Sequence, residues 1–388
     1  MKIGINGFEA VVPRFGYDPK GLPNRVGSSE VASEWITGIE KIDKKNQYVI
    51  YLPVEPTSDM PKEREGWKYI VLSSKPLWTI FALSPAIRKQ SFDVFFSPTH
   101  YSPLFAPCPQ IISILDISYK HFPELFKKKD LFQLNLWGEY SVKRAVKIIT
   151  ISNSAKSDII REYHVPEAKV EVAYLGVKKT GKSKMTKKEI LEKYSVEGPF
   201  ILFVGTLQPR KNIVRLIEAF SAIIHPRGEG ALVPAGVGEE LRLVIVGRKG
   251  WDYKEILDAP KKFGVEDKVL FLENVSDKDL PEFYKNAECF MLPSLYEGFG
   301  LPILEAMKYG CPVLTSDISS LPEAGGEAAV YFDPYDVNDM ADKIKKVLED
   351  ESLRAKMKKE GFKQIKKFSW EKSAGEVLKI LESVAKPV

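Results

Sequence analysis

Two glutamates with a defined spacing are the first residues in this chain whose types could do chemistry. Seven residues separate Glu297 from Glu305, and the stretch between them, GFGLPIL, contains two glycines and a proline. A glycine-containing loop that opens a helix presents the positive end of the helix dipole, which favours an anion. A carboxylate one turn into that helix can accept hydrogen bonds from hydroxyl groups. The pattern predicts a site for a phosphate carried by a sugar or ribose, and the alternative is an ordinary turn with two solvated carboxylates.

A pair of adjacent cations lies at a comparable position earlier in the chain. Arg210 and Lys211 follow the apolar run PFILFVG, at the point where a helix begins near Asn212. Arginine grips phosphate oxygens in bidentate fashion, and lysine adds a point charge. Both motifs follow strand ends, so we expect them at the same edge of one sheet. The alternative for the two cations is a solvated basic turn.

The first half of the chain carries weaker candidates. Gly27 and Ser28 stand between the first strand and the first long helix, which predicts a second anion site, with a plain helix N-cap as the alternative. Asp116 follows the strand-like run QIISIL and could take a hydroxyl proton or orient an acceptor. A turn or N-cap role explains Asp116 equally well.

These residues are positioned by short apolar strands that alternate with helical patterns. Alternation of this kind predicts parallel sheets covered by helices on both faces. We predict helices at 28–42, 153–163, 337–349, 351–367 and 370–384. Predicted strands in the first half cover residues 2–7, 48–52, 68–72, 94–96, 110–115, 147–152 and 169–174. Those in the second half cover 199–205, 241–247, 268–272, 289–292, 312–315 and 328–332.

The domain organisation follows from a change in composition. The run VKKTGKSKMTKKE, from 177 to 189, is rich in lysine and almost without apolar residues, which is typical of a linker. We predict a first domain at 1–180, a linker at 181–198, a second domain at 199–367 and a closing helix at 368–388. Residues 226–239, rich in Gly and Pro, are expected to form a peripheral insertion. The cleft between two such domains is the expected ligand site.

Composition excludes several classes of protein. The 57 basic and 52 acidic residues of the 388 give a net charge of +5, too mild and too mixed for a nucleic-acid binder. Three widely spaced cysteines predict neither a disulfide framework nor a zinc site, and the four histidines lack metal-ligand spacing. The start, MKIGINGF, lacks the apolar core of a signal peptide, and no apolar run is long enough to span a membrane. We therefore expect a cytoplasmic protein.

Four stretches together resemble the retaining glycosyltransferases of family 4, which have the GT-B architecture of two facing Rossmann-like domains. Three of them are FVGTLQPRKN (203–212), PSLYEGFGLPILEAMKYGCPVLTSD (293–317) and LPEAGGEAAVYFDP (321–334). The fourth, FSWEKSA (368–374), resembles the closing motif in which the last helix crosses back onto the first domain. The resemblance covers nearly the whole chain, and its motifs occur in family order and spacing.

The resemblance implies roles for matching positions. Arg210 and Lys211 would bind the diphosphate of a nucleotide sugar, and Glu305 would hold the ribose hydroxyls. Gly27 and Ser28 would reach the distal phosphate, and residues near Val275 would meet the base. The transferred sugar would be lined by Glu297 and by the loop residues Gly298, Phe299, Gly300 and Leu301.

The resemblance also implies a mechanism without a cofactor or metal. Charge develops on the distal phosphate as the glycosidic bond breaks, and the cations stabilise it in advance. No Ser/His/Asp or Cys/His nucleophile arrangement is present, so retention implies same-face attack with the phosphate taking the acceptor proton. The family commonly has a histidine before the aspartate matched by Asp116, where this chain has Leu115. We assign His100, which could substitute, and His121 to the acceptor side.

The sequence therefore predicts a retaining hexosyltransferase that takes a sugar from GDP-mannose, the first choice, or from a UDP-sugar. The acceptor would be a saccharide or a lipid-linked saccharide. The segment 122–144 mixes lysine with Phe, Leu and Trp and could contact the inner face of the cell membrane, although an ordinary packed helix with a basic edge explains the same pattern. Two alternatives remain: a GT-B nucleotide-sugar epimerase, and a catalytically silent nucleotide-sugar-binding subunit, which the residue at 115 makes plausible.

Overall fold

The structure, a computed structural model, describes residues 1–12, 16–17, 21–25, 27–73, 76–177, 185–225 and 240–384. The chain divides into two compact units, one formed by 1–176 with 368–388 and the other by 177–367. The expected insertion at 226–239 and the first part of the expected linker lie outside the described residues.

Unit 1 is built on a seven-stranded parallel sheet in the order β3-β2-β1-β4-β5-β6-β7. The strands alternate with helices, and most of their side chains are buried on both faces, as expected for a parallel sheet with two covered faces. The strands are β1 (Lys2–Asn6), β2 (Gln47–Leu52), β3 (Trp67–Val71), β4 (Val94–Ser97), β5 (Gln110–Ser113), β6 (Lys147–Thr150) and β7 (Val170–Val172).

The helices of unit 1 include two long amphipathic ones whose bounds the sequence predicted. These are α2 and α6, and Ser152 caps α6 by accepting a hydrogen bond from Ala155 N at 3.0 Å. A π-helical turn at Thr79–Leu83 precedes α3. The helices are α1 (Phe8–Val11), α2 (Ser28–Ile42), α3 (Ser84–Ile87), α4 (Ser118–His121), α5 (Lys128–Arg144) and α6 (Asn153–Tyr163).

Unit 2 is built on a six-stranded parallel sheet in the order β10-β9-β8-β11-β12-β13. Its strands are β8 (Phe200–Val204), β9 (Arg242–Val246), β10 (Val269–Leu272), β11 (Cys289–Leu292), β12 (Val313–Ser316) and β13 (Ala329–Phe332). All thirteen strands predicted from the sequence are present, with ends that differ from the prediction by at most a few residues.

The helices of unit 2 begin within the residues that we assigned to the linker. Lys187–Lys193 forms α7, because Thr186 and Glu189 complete a capping box and Ile190 is fully buried. Lys193 donates a hydrogen bond to Asp279 at 2.8 Å, which ties α7 to unit 2. The other helices are α8 (Ile213–Ile224), α9 (Lys254–Phe263), α10 (Leu280–Asn286), α11 (Leu301–Lys308), α12 (Leu321–Gly325), α13 (Val337–Glu349) and α14 (Glu351–Gln364).

The last helix, α15 (Trp370–Val384), packs on α2 within unit 1. The Trp35 indole of α2 donates a buried hydrogen bond of 2.8 Å to Ser373 of α15. A Cβ at Gly38 would lie 2.6 Å from the Cβ of Ala374, so only glycine allows this close approach of the two helices.

Both sheets reverse their strand order at one point. The first strand of each sheet lies beside its fourth, β1 beside β4 and β8 beside β11, whereas the second and third strands extend the other way. In open sheets of this kind, ligands bind beyond the carboxyl ends of the two strands at the reversal. This rule singles out the loops after β1 and β4, and those after β8 and β11. No helix among the described residues is long and apolar enough to cross a membrane.

Candidate functional site

The loops after β8 and β11 meet at the reversal point of the unit 2 sheet. The chain leaves β8, forms a 3₁₀ turn at Pro209–Lys211 and enters α8 through Asn212, whose φ of 58° is in the left-handed region that asparagine tolerates. The Asn212 side chain donates to Pro334 O at 2.7 Å, which fixes this turn. Leu295 N donates to Arg210 O at 2.9 Å and joins the two loops.

Arg210, Lys211 and Glu297 form one ion-paired cluster, which we call the charged cluster. Lys211 Nζ donates to Glu297 Oε1, and Arg210 Nη1 lies 3.3 Å from Glu297 Oε2. Arg210 Nη1 also donates to the carbonyl of Tyr296. The side chains of Lys211 and Glu297 are only 11% and 12% exposed. The cations and the carboxylate, 86 and 87 residues apart in sequence, are therefore held together away from bulk water.

The electrostatics of the charged cluster keep the carboxylate ionised. Burial raises the pKa of Glu297, but the charges of Lys211 and Arg210, with hydrogen bonds from Lys211 and Ser294, outweigh burial and lower it to about 2. Two positive charges against one negative charge leave the cluster with a formal charge of +1. The cluster therefore still attracts an anion while its own geometry is fixed.

Three serines that the sequence did not single out hold Glu297 in place. Ser294 donates to Glu297 Oε1 at 2.7 Å. Ser319 accepts from Glu297 N at 3.0 Å, and Ser320 donates to Glu297 O at 2.8 Å. Ser294 lies three residues before Glu297, and this short spacing could have predicted the contact from the sequence. The two other serines follow β12, and their role depends on tertiary contact alone.

The loop from Gly298 to Leu301 leads into α11, with Pro302 in its first turn. Gly298, Phe299 and Gly300 are all buried. Gly300 has a φ of +103°, and a Cβ there would lie 3.0 Å from Leu321 Cδ2, so the position requires glycine. The expected strand–loop–helix geometry of the motif is confirmed, while the sugar-lining role of these residues stays a prediction.

Glu305, the second glutamate, lies on α11. It accepts a hydrogen bond of 3.1 Å from the buried hydroxyl of Tyr284 on α10. Burial and the nearby Glu305 charge raise the pKa of Tyr284 well above its ordinary value, so its hydroxyl remains a donor. The two glutamates are thus in different environments, one neutralised by cations and one oriented by a phenol.

Val275, the predicted base contact, lies in the loop after β10 and is half-buried. β10 ends at Leu272, at the carboxyl edge shared with β8 and β11, because the sheet is parallel. Val275 is therefore at the same edge as the charged cluster, and its contact with a base stays a prediction.

In unit 1, Gly27 is the N-cap of α2, with a φ of 58° and no side-chain cap. Ser28 Oγ donates to Glu9 Oε2 at 3.1 Å. Glu9 is in α1, directly after β1. The structure therefore places the two predicted phosphate-loop residues beside a carboxylate, at the reversal point of the unit 1 sheet.

Asp116 and His100 are brought together, although sequence reasoning could not show it. His100 Nε2 lies 3.2 Å from the carbonyl of Asp116, and its ring lies 6.1 Å from that of Tyr119. The Asp116 carboxylate accepts from Ser118 N at 2.9 Å and from Ser118 Oγ at 2.7 Å, which is the turn role that we weighed. His100 therefore occupies space next to the segment where the family histidine is absent.

His121 is placed differently from His100. It ends α4, and its Nε2 lies 3.5 Å from Asp158 Oδ2 on α6. Asp158 also pairs with Arg161 at 2.6 Å. The contacts of His121 thus link two helices of unit 1, and its acceptor-side assignment stays a prediction. Within the described ranges, no three His, Cys, Asp or Glu side chains are grouped so that they could hold a metal ion.

Comparison with known proteins agrees with the sequence motifs. A family model described as "Glycosyl transferases group 1" matches residues 186–364, and one described as "Glycosyltransferase Family 4" matches residues 53–180. O-antigen chain mannosyltransferase B from Escherichia coli is 32% identical over 289 residues, which is 74% of this chain and 73% of the relative.

Two solved structures share the fold. A sucrose-phosphate synthase from Thermosynechococcus elongatus superposes with a TM-score of 0.73 at 16% identity, over 99% of both chains. Anabaena Alr3699/HepE, solved in complex with UDP and glucose, superposes with a TM-score of 0.70 at 17% identity, over 99% of this chain and 100% of the other. The predicted fold class, GT-B with two Rossmann-like doubly wound sheets, is confirmed. The chain belongs to glycosyltransferase family 4, where it is similar to mannosyltransferases, and it is a glycosyltransferase.

Proposed function

We propose that this glycosyltransferase moves a mannosyl group, with retention of configuration, from GDP-mannose to a saccharide or a lipid-linked saccharide. The observation that carries the proposal is the charged cluster of Arg210, Lys211 and Glu297 at the reversal point of the unit 2 sheet. A cluster of net charge +1 at this position suits a nucleoside diphosphate, which is the leaving group of the reaction.

The cations act on the charge that develops when the glycosidic bond breaks. Arg210 offers a planar fork of donors for phosphate oxygens, and Lys211 offers a compact point charge. Because Glu297 and the Tyr296 carbonyl already hold both side chains, the cost of ordering them is met before the donor arrives. With these cations at the diphosphate, we propose that the reaction needs no metal ion or cofactor.

Glu297 positions the donor in this proposal and is not the nucleophile or the base. A carboxylate whose pKa is held at about 2 by two cations is a weak base and a poor nucleophile. Retention then proceeds by same-face attack, in which the acceptor proton goes to the leaving phosphate. Glu305, oriented by Tyr284, is proposed to accept hydrogen bonds from the ribose hydroxyls, and Val275 to contact the base.

The choice of mannose is supported by the relatedness to a mannosyltransferase, 32% identical over most of both chains. The structural neighbour from Anabaena was solved with UDP and glucose, so a UDP-sugar is the second candidate donor. On the acceptor side we propose Asp116 and His100, since His100 lies beside the Asp116 carbonyl. The His100 imidazole can make a hydrogen bond to the acceptor, which the apolar side chain of Leu115 cannot make.

We also propose that unit 1 contacts an anionic membrane surface from the cytoplasmic side. Phe132 and Leu136, one turn apart on α5, are 69% and 65% exposed. Exposed Lys128 and Lys129 precede them in the same helix. Large apolar side chains flanked by lysines suit the boundary between lipid headgroups and acyl chains. Co-sedimentation with vesicles tests this: the F132A/L136A variant should lose binding to anionic vesicles, and the control Phe362→Ala, at an exposed phenylalanine of unit 2, should not.

The donor assignment is tested by a thermal-shift screen of nucleotide sugars, because a ligand at 100 times its Kd adds about 2.7 kcal/mol to the free energy of unfolding. GDP-mannose should raise the Tm most. Release of GDP should then require an acceptor, and NMR of the product should show the α-configuration of the donor sugar. Release of an epimerised free sugar without acceptor would favour the epimerase, and donor binding without turnover on a broad acceptor panel would favour the silent subunit.

A further inference from the structure

The loop after β10 is held by a residue that directly follows α7. We call residues 273–279 the base loop, because Val275, the proposed base contact, lies in it. The hydroxyl of Tyr194, the C-cap residue of α7, accepts a hydrogen bond of 3.4 Å from Ser276 N and donates one of 3.0 Å to Asp279 Oδ2. One phenol oxygen therefore joins the middle of the base loop to its end.

The base loop ends in a tight turn. Asp279 N donates to Ser276 O at 2.9 Å and to Ser276 Oγ at 3.2 Å, and Leu280 N donates to Ser276 O at 3.0 Å. Asp279 is only 4% exposed. Its Oδ2 accepts from Lys193 Nζ at 2.8 Å as well as from the Tyr194 hydroxyl. The turn is therefore attached to α7 at a nearly buried carboxylate.

Tyr194 is fixed by its own packing. Its ring centroid lies 5.4 Å from that of Phe283 on α10, in an edge-on arrangement, and Phe283 is fully buried. Tyr194 N donates to Ile190 O at 3.2 Å, and the Ile190 side chain is fully buried too. Because its ring and its backbone are both held, the Tyr194 hydroxyl has a defined position from which to hold the base loop.

Two parts of the proposed donor site flank this turn. Val275 lies within the base loop, and α10 begins at the end of the loop. α10 carries Tyr284, whose hydroxyl donates to Glu305 at 3.1 Å. The proposed base contact and the residue that orients the proposed ribose ligand are therefore on either side of the turn that Tyr194 anchors.

The charged cluster lies on other loops of the same sheet. β9 lies between β10 and β8 in the strand order. Neighbouring strands are about 4.8 Å apart, so the base loop begins roughly 10 Å from the loop that carries the two cations. A separation of this size suits the base and the diphosphate of one nucleotide. The base loop and the charged cluster can therefore bind different parts of the donor.

We infer that Tyr194 is a positioning residue for the nucleoside half of the donor, because its hydroxyl holds the base loop in the conformation that accepts the base. The inference deepens the proposed function and rests on it. Tyr194 acts through Ser276 and Asp279 and does not contact the donor. Loss of its hydroxyl should therefore weaken binding of the nucleoside and leave binding of the diphosphate to the charged cluster unchanged.

The test compares GDP with inorganic pyrophosphate as ligands of the full chain, by titration calorimetry. Tyr194→Phe keeps the packed ring and removes the hydroxyl. Y194F should bind GDP about fivefold more weakly, as expected for the loss of hydrogen bonds to one hydroxyl. Its affinity for pyrophosphate should equal that of the unmodified protein. The KM for the donor should rise by the same factor as the Kd of GDP, while kcat changes little.

Two control variants separate the positioning role from a general loss of stability. Tyr331→Phe changes a half-buried tyrosine on β13, the opposite edge strand, whose hydroxyl donates to Gly326 O at 2.6 Å. Lys193→Met removes the ion pair with Asp279 but keeps the Tyr194 hydroxyl, and the Lys193 side chain is 45% exposed. Both variants should bind GDP and pyrophosphate like the unmodified protein, since an exposed ion pair contributes little.

Hydrogen exchange of the unmodified protein gives a second measurement that needs no variant. The Ser276 amide donates to the Tyr194 hydroxyl, so its exchange rate reports the opening of this bond. GDP should slow exchange of the Ser276 amide several-fold, because the bound base stabilises the closed base loop. Pyrophosphate should leave this exchange rate unchanged.

Four outcomes would overturn the inference. Y194F could bind GDP as tightly as the unmodified protein, or it could lose GDP and pyrophosphate equally. Y331F or K193M could show the same loss of GDP as Y194F, and GDP could leave exchange at Ser276 unchanged. Failure of the proposed function looks different, because the unmodified protein itself would then bind neither GDP nor GDP-mannose.

Discussion

The two units place very different side chains at the same topological position. In unit 2, the loops after β8 and β11 carry the charged cluster, where three ionised side chains are tied to one another and to Ser294. In unit 1, the loops after β1 and β4 line a cavity with aromatic walls, one carboxylate and an amide donor without a partner. Both sets of loops lie where open parallel sheets bind ligands, and their side chains differ in charge and polarity.

The two sets of loops also differ in whether their polar side-chain atoms already have hydrogen-bond partners. The charged side chains of the cluster already have partners, so the diphosphate of the proposed donor would meet groups that are fixed in advance. In unit 1, the buried amide Nδ2 of Asn6 has no hydrogen-bond partner, which costs free energy. The following predictions test this contrast, beginning with the largest expected effect.

Removing both cations of the charged cluster should have the largest effect. R210A/K211A should abolish donor binding, and turnover should fall by at least about 10³-fold, because each lost contact to the leaving group costs about 3–4 kcal/mol. Steady-state kinetics and thermal shift with GDP-mannose measure this. The control K187A/K188A changes two adjacent lysines on α7, where Lys188 is 85% exposed, and should behave like the unmodified protein.

A charge-balanced variant distinguishes loss of function from loss of folding. R210M/K211M/E297Q replaces the charged cluster with neutral side chains of similar size, which avoids leaving an unpaired buried charge. It should fold and still fail to bind the donor. Unchanged donor affinity in this variant would contradict the assignment of the two cations.

Glu297→Gln should destabilise the protein by about 3 kcal/mol at pH 7, since it leaves two nearly buried cations without their counter-charge. The pKa of Glu297 falls from an ordinary 4.5 to about 2 on folding. A lowered carboxyl pKa adds stability that is present above the unfolded value of about 4.5 and is lost as the pH falls through the folded value of about 2.

Urea denaturation between pH 7 and pH 2 therefore checks the Glu297 prediction. The stability of the unmodified protein should fall across this acid range, and E297Q should lack the part of the fall that Glu297 causes. The control Glu266→Gln, at an exposed position of unit 2, should keep the full pH dependence. An E297Q curve parallel to that of the unmodified protein would mean that the ion pairs contribute no stability.

Tyr284→Phe should have a smaller effect confined to the donor. It removes the 3.1 Å hydrogen bond that the Tyr284 hydroxyl donates to Glu305. The loss of one such bond is worth about 0.5–1.5 kcal/mol, so the KM for the donor should rise a few-fold while kcat changes little. Tyr335→Phe, at a tyrosine that is 59% exposed, is the control. A fall in kcat alone would contradict a ribose-binding role for Glu305.

Raised ionic strength should have the smallest effect. Donor binding depends on charge and should weaken a few-fold as salt rises, because ions screen the field of the charged cluster. Titration of GDP-mannose over a salt series measures this effect. A donor affinity that does not change with salt would contradict recognition of the diphosphate by the charged cluster.

Much of this molecule could be predicted from local pattern. Apolar runs of four to six residues between turns predicted the strands, and α2 and α6 begin and end at the predicted residues. The glutamate motif and the cations after PFILFVG were also found, because both follow strand ends directly. The helix at Lys187–Lys193 was missed, since its lysines are exposed and only Ile190 is buried, so it looked like a linker.

The sequence by itself determined the alternation of strands and helices, the family and the residue types at each strand end. Those depend on periodicity, capping and short motifs, which act over a few residues. Only the tertiary structure decided that Glu297 pairs with Arg210 and Lys211, that His100 lies beside Asp116, and that the amide of Asn6 faces a cavity without a partner. These contacts follow from which strands are neighbours at the reversal points, and strand order is a property of the packed sheet that no local stretch contains.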